Sequence, residues 1–100
     1  MNLTETILPM PDDYEGKVIA TLLRADSTAP SDRAVLYLHG YIDYFFQTHM
    51  AERFAGEEWN FYALDLRKYG RSLLPHQHAY YCRDLHEYFP EIDAALERIA

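Results

Sequence analysis

The hydrophobic and polar positions divide the chain into short segments with different periods. Lys17 to Ala25 is rich in aliphatic and β-branched residues (Val18, Ile19, Thr21, Leu22, Leu23), which predicts a strand. Thr6 to Met10 predicts a shorter strand before it, closed by Pro9 and Pro11. The turn residues Asp12, Asp13 and Gly16 join the two as an antiparallel hairpin. A polar loop with Pro30 follows, and then the continuous apolar run Ala34-Val35-Leu36-Tyr37-Leu38, the pattern of a strand buried on both faces of a parallel sheet. It stops abruptly at His39-Gly40. Phe46, Met50 and Phe54 recur at i, i+4 and i+8, so a helix is expected from about Tyr44 to Phe54, with Gly56 as its stop. Trp59 to Leu66 predicts a second buried strand, with Asp65 at its end. Leu66 to Ala79 has no clean period and reads as a long loop. From about Asp84 the spacing of Leu85, Phe89, Ile92, Leu96 and Ile99 predicts a helix, which Pro90 either interrupts or opens.

The order is strand, strand, strand, helix, strand, loop, helix. It predicts an α/β domain with a mostly parallel sheet and an N-terminal antiparallel hairpin. No repeat or linker divides residues 1–100, so one domain is expected. A single βαβ unit is thin for such a domain. The last helix reaches Ala100 without a Gly, Asn or Pro stop, so the domain is expected to be partial, cut before a further parallel strand.

Composition narrows the functional classes. The chain has 100 residues, 49% hydrophobic and 25% charged, which excludes a disordered or collagen-like chain. The net charge of −7 argues against a phosphate-backbone binder, so no nucleic-acid partner is expected. No apolar run approaches the roughly 20 residues of a membrane span. The N-terminus has no basic segment followed by an apolar stretch. Cys82 is the only cysteine, so no intrachain disulfide is available, and it reads as a partly buried structural thiol. A cytoplasmic setting fits these features.

Two constellations fall at the carboxyl ends of the two apolar strands, the edge where open α/β sheets place their ligands. The first is His39-Gly40-Tyr41. Gly40 permits a sharp turn, and the backbone N–H groups after it can face a developing oxyanion. The second is Asp65-Leu66-Arg67-Lys68-Tyr69-Gly70-Arg71-Ser72, which suits a loop pinned by side-chain-to-backbone bonds. His76 and His78, with His86 and Glu87 downstream, have the residue types of a metal site, but a loop context and an unidentified third ligand favour ordinary loop histidines, and no metal is assigned. Tyr41, Tyr44, Phe45 and Phe46 form an aromatic cluster that either lines a substrate pocket (Tyr44 and Phe45 above all) or covers the core. Tyr80, Tyr81, Tyr88 and Phe89 are expected to pack under the long loop.

On these residues the chain resembles the N-terminal part of the α/β-hydrolase fold, on the lysophospholipase and monoacylglycerol-lipase branch (the serine aminopeptidase-like group). The apolar strand ending in His39-Gly40 is similar to that family's strand-then-His-Gly turn. Asp65-x-Arg67-x-x-Gly70-x-Ser72 is similar to its Asp-x-Arg-Gly-x-Gly-x-Ser segment, with Lys68 where the family usually has glycine. Ile92-Asp93-Ala94-Ala95-Leu96 resembles the helix that leads to the nucleophile strand, so the likeness runs from roughly Glu5 to Ala100. The resemblance implies a serine hydrolase of small carboxylic esters, without a cofactor. It implies that the Tyr41 backbone N–H is an oxyanion-hole donor in a loop shaped by His39 and Gly40. Asp65, Arg67, Gly70 and Ser72 would then be structural. The nucleophile, acid and base are expected beyond Ala100, because no Gly-x-Ser-x-Gly occurs: Ser72 has Gly70 before it but Leu74 after it. A partial sheet also implies an exposed strand edge, able to pair with a second copy or with the missing C-terminal half. A non-catalytic binding or self-associating module is the competing expectation.

Overall fold

The computed structural model describes residues 3–40 and 48–99. Tyr41, Tyr44, Phe45 and Phe46 lie outside them. Strands β1 (Thr4–Asp13), β2 (Gly16–Ala25) and β3 (Ala34–Leu38) precede helix α1 (Thr48–Gly56). Strand β4 (Asn60–Asp65), two 3₁₀ turns (Gly70–Ser72 and Leu85–Tyr88) and helix α2 (Phe89–Ile99) complete the order.

The four strands form one sheet in the order β1-β2-β4-β3. β1 and β2 pair antiparallel, with Leu8 opposite Ala20, and β2 and β4 also pair antiparallel, with Leu23 opposite Ala63. β3 and β4 pair parallel, with Leu36 opposite Tyr62. Within the described residues the sheet is therefore mixed rather than mostly parallel. The hairpin occupies two of the four positions and docks antiparallel on β4, leaving the βαβ unit as the one parallel pair.

Two strand expectations also change. β1 does not stop at its prolines but runs through Pro9 and Pro11, with an irregularity in register between Met10 and Asp13. An edge strand tolerates this, because the alternate N–H groups that face away from its neighbour carry no ladder bond. β3 has the apolar run of a doubly covered strand, yet it is the opposite edge and Leu38 is 44% exposed. β4 is the strand buried nearly end to end.

Each face of the sheet carries one helix. On one side Ala51 and Ala55 of α1, flanked by Met50 and Phe54, close over Leu23, Phe61 and Ala63. On the other, Ala95, Ile92 and Ile99 of α2 close over Leu8, Leu22, Tyr62 and Leu64. Pro90 lies in the first turn of α2, where its missing N–H costs nothing. The preceding 3₁₀ turn is capped by Asp84, which accepts from His86 N–H, while Glu87 reaches back to Asp84 N–H.

The buried face of α2 keeps Ile92 and Ile99 of the predicted stripe but is rotated away from its other members. Leu85, Phe89 and Leu96 are 71%, 53% and 51% exposed, and Glu91 and Ala95 are buried in their place. Arg67 is the cause. Glu91 Oε1 accepts from Arg67 Nη2 at 2.9 Å, Glu91 Oε2 accepts from Arg67 Nε at 3.2 Å, and Oε2 also accepts the Arg67 backbone N–H at 2.8 Å. A buried carboxylate must keep its partner, so this pair sets the helix rotation ahead of the apolar stripe. Removing one member of a buried pair leaves the other charge uncompensated. Glu91→Ala is expected to lower stability in urea unfolding by about 3–5 kcal/mol. Leu96→Ala, on the exposed face, is expected to change it by less than about 0.5 kcal/mol.

Candidate functional site at the carboxyl edge of the sheet

β3 and β4 run parallel and end side by side, and His39 ties their ends together. The Leu66 backbone N–H, one residue past β4, donates to His39 Nε2 at 3.0 Å. Nε2 is thus an acceptor, and the ring proton sits on Nδ1, which donates to the Gly40 carbonyl at 2.9 Å. The ring is buried and stands 4.5 Å from the Tyr69 ring, centre to centre. With both nitrogens engaged, His39 positions the turn and has no free nitrogen for acid–base work. At Gly40 an added Cβ would meet nothing within 4 Å among the described residues.

The second constellation is built inward. The Asp65 carboxylate is buried, and its Oδ2 accepts from Arg71 Nη1 at 2.8 Å and from the Arg71 backbone N–H at 3.3 Å. Ser72 Oγ donates to the Asp65 carbonyl at 2.6 Å and lies 3.1 Å from Thr21 Oγ1 on β2. Ser72 is wholly buried. The geometry closes the loop back onto β4 and presents no hydroxyl to a substrate. Burial works against the Arg67 charge, but the Glu91 hydrogen bonds outweigh it and hold the guanidinium pKa above its usual range.

Lys68 is what the sequence reading missed. It has φ 64°, the left-handed conformation that favours glycine, and Gly70 follows with φ 42°. The Lys68 side chain is fully buried beneath the β1–β2 turn. Its Nζ lies 2.9 Å from Asp13 Oδ2 and 2.7 Å from Glu15 Oε1. Both approaches are close in distance but off the directions of regular hydrogen bonds, so the ammonium acts as a point charge between two carboxylates. It also stands 4.6 Å from the Tyr14 ring centre and 5.6 Å from that of Tyr81. The signal was the lysine itself, in a loop position where a glycine was expected.

The loop histidines have separate partners. His76 Nε2 donates to the Lys17 carbonyl at 3.0 Å, and His78 contacts the Glu15 carboxylate through Nδ1. Among the described residues no three His, Cys, Asp or Glu side chains come together as metal ligands.

A cavity of about 520 Å³ opens beside the His39–Gly40 turn. Tyr69, Tyr80, Tyr81, Tyr88, Cys82 and Leu66 contribute to its wall. The tyrosines expected only to pack under the loop therefore line a space. Phe89 points to solvent instead of packing there. Burial, followed by hydrogen bonds to Cys82 and Tyr69, pushes the Tyr88 hydroxyl pKa upward.

No protein-family model matches the chain, and no curated protein matches it in sequence. Among solved structures, the fold matches a probable hydrolytic enzyme from Pseudomonas aeruginosa PAO1, with TM-score 0.76 and 18% identity. The match covers 96% of this chain and 30% of that one, so the chain spans less than a third of that enzyme's length. The architecture is thus an α/β fold shared with a hydrolytic enzyme. No helix among the described residues is long and apolar enough to cross a membrane.

Two predictions follow from the anchoring of the hairpin. The close Lys68 ammonium, then the hydrogen bond from His78, holds Glu15 at about 2 against an ordinary 4.5. Its lowered pKa means that its contribution to stability is complete above about pH 4.5 and is lost as pH falls towards 2. Circular dichroism in acid is expected to show that loss, and Lys68→Met is expected to shrink the pH dependence over that interval. Lys68→Gly relieves the left-handed strain, and by thermal unfolding it is nevertheless expected to be less stable than the parent, because the buried Asp13 loses its nearer cation and keeps only Arg67, 3.8 Å away.

Proposed function

We propose that this chain is the N-terminal portion of a serine hydrolase of the α/β-hydrolase fold, acting on small carboxylic esters in the manner of the lysophospholipase and monoacylglycerol-lipase group. The observation that carries the reading is the His39 bridge, which fixes the turn after β3 against the end of β4. A turn held this way suits an oxyanion loop, whose donors must be preorganised. The Tyr41 backbone N–H is the proposed donor, with Tyr44 and Phe45 on the pocket side. Asp65, Arg67, Gly70 and Ser72 hold the neighbouring loop in shape. The nucleophile, general base and acid would follow Ala100, and the chain by itself would not turn over ester. No cofactor is required. A cytoplasmic setting remains part of the proposal.

A second reading is favoured by one observation: among the described residues β3 has a neighbour on one side only, and Leu38 at its end is exposed. An open edge of this kind pairs with another strand. The chain would then act through association, with a second copy or with the C-terminal half.

The readings separate in two measurements. A fluorophosphonate probe is expected to label a protein that extends the chain beyond Ala100, and to leave the 100-residue chain unlabelled. Labelling of this chain at Ser72 would overturn the loop assignment, and an unlabelled extended protein would overturn the hydrolase. Size-exclusion chromatography of the 100-residue chain is expected to give a dimer or larger species, whereas a monomer at high concentration contradicts the open-edge reading.

A further inference from the structure

We propose that the cavity beside Gly40 binds an uncharged aromatic group, so that the ester taken by the hydrolase is an aromatic one. This rests on the hydrolase reading for the word ester, but the binding preference stands on the cavity itself. Its volume, about 520 Å³, falls within the roughly 300–1,000 Å³ of small-molecule sites.

Charge comes first. Among the described lining residues there is no Asp, Glu, Lys or Arg. His39 lines the cavity, but both its nitrogens are bound to backbone groups. Among the described lining residues no side chain carries a charge to offset that of a charged ligand, which would have only the tyrosine hydroxyls to replace its water. The charged side chains of this region are occupied elsewhere, Lys68 with Asp13 and Glu15, and Arg67 with Glu91.

Shape comes second. Tyr69 sits at the centre of a ring cluster, 5.2 Å from Tyr80 at an interplanar angle of 45° and 6.5 Å from Tyr88 at 65°. Tilted rings of this kind present both edges and faces, and a planar aromatic guest can match both, whereas a saturated ring or alkyl chain gains contact area alone. The cavity wall includes Gly40, so a ring seated among the tyrosines would bring an attached carbonyl towards that turn.

The test uses the 100-residue chain and three matched probes: methyl benzoate, its saturated counterpart methyl cyclohexanecarboxylate, and the benzoate anion. Amide resonances of Gly40, Leu66 and Ala79 are followed by two-dimensional NMR during titration. Methyl benzoate is expected to shift them saturably and to bind about tenfold tighter than the saturated ester, equivalent to about 1.4 kcal/mol, with benzoate weaker than either. Tyr80→Leu is expected to remove most of the difference in affinity between the two esters. If that variant does not fold, Tyr81→Leu serves the same comparison from an exposed position. Equal affinities for the two esters, shifts confined to other residues, or no saturable shift would overturn the inference. An aromatic preference together with an extended protein that resists fluorophosphonate overturns the hydrolase reading alone. A labelled extended protein together with equal affinities overturns this inference alone.

Discussion

Arg67 leaves the end of β4 inside the protein, where a guanidinium is costly unless a carboxylate meets it. Glu91 meets it with several hydrogen bonds, one of them to the Arg67 backbone N–H. That arrangement fixes where the chain goes after the sheet and how α2 is rotated against it. It also keeps the loop between them in one place, and the tyrosine cavity is made from that loop and the 3₁₀ turn before α2. Leu85, Phe89 and Leu96 remain exposed as a consequence, because a helix that buries Glu91 cannot also bury the opposite side.

Lys68, the next residue, solves a different problem with the same means. A glycine in its place would accept the left-handed backbone at little cost. Lysine accepts it only because the surroundings hold its ammonium. Asp13 and Glu15 supply the charge and Tyr14 supplies a ring face, and all three belong to the β1–β2 turn. The hairpin tip is thereby tied to the loop after β4. Burial raises the Asp13 pKa, but the Lys68 contact outweighs it and the net shift is downward. Tyr14 is pushed up to about 12 by burial, followed by its hydrogen bond to Glu87. The carboxyl edge of the sheet is therefore bounded by ion pairs on its outer side and by neutral aromatics on the cavity side.

Much of the fold was legible in the sequence because it rests on local signals. The apolar runs of β2, β3 and β4, the turn residues before Gly16, and Pro90 at the start of α2 all act over a few residues. What was not legible depends on contacts distant in the chain. No local pattern tells that β3 is an edge and β4 is central, because both runs are equally apolar. Pro9 and Pro11 read as stops until β1 is seen to have a free side. Nothing local marks Glu91 for burial, since its partner lies 24 positions away. At the site, His39, Gly40, Asp65, Arg67, Gly70 and Ser72 stand out in the sequence, and they lie at or just past the ends of β3 and β4. The motif could not say that both His39 nitrogens are spent, nor that the downstream tyrosines enclose a space.

The central claim is that a buried charge pair, and not the apolar stripe of α2, places the loop that forms the site. A double-mutant cycle on Arg67→Met and Glu91→Met measures it directly. Arg67→Met leaves the buried Glu91 without its cation, Glu91→Met leaves Arg67 with only the Asp13 carboxylate 3.8 Å away, and the double variant removes both charges of the pair. The account predicts that the double variant is more stable than the two single losses would add up to, with a coupling of at least about 2 kcal/mol. Additive losses would mean that the pair is incidental and that apolar packing sets the helix.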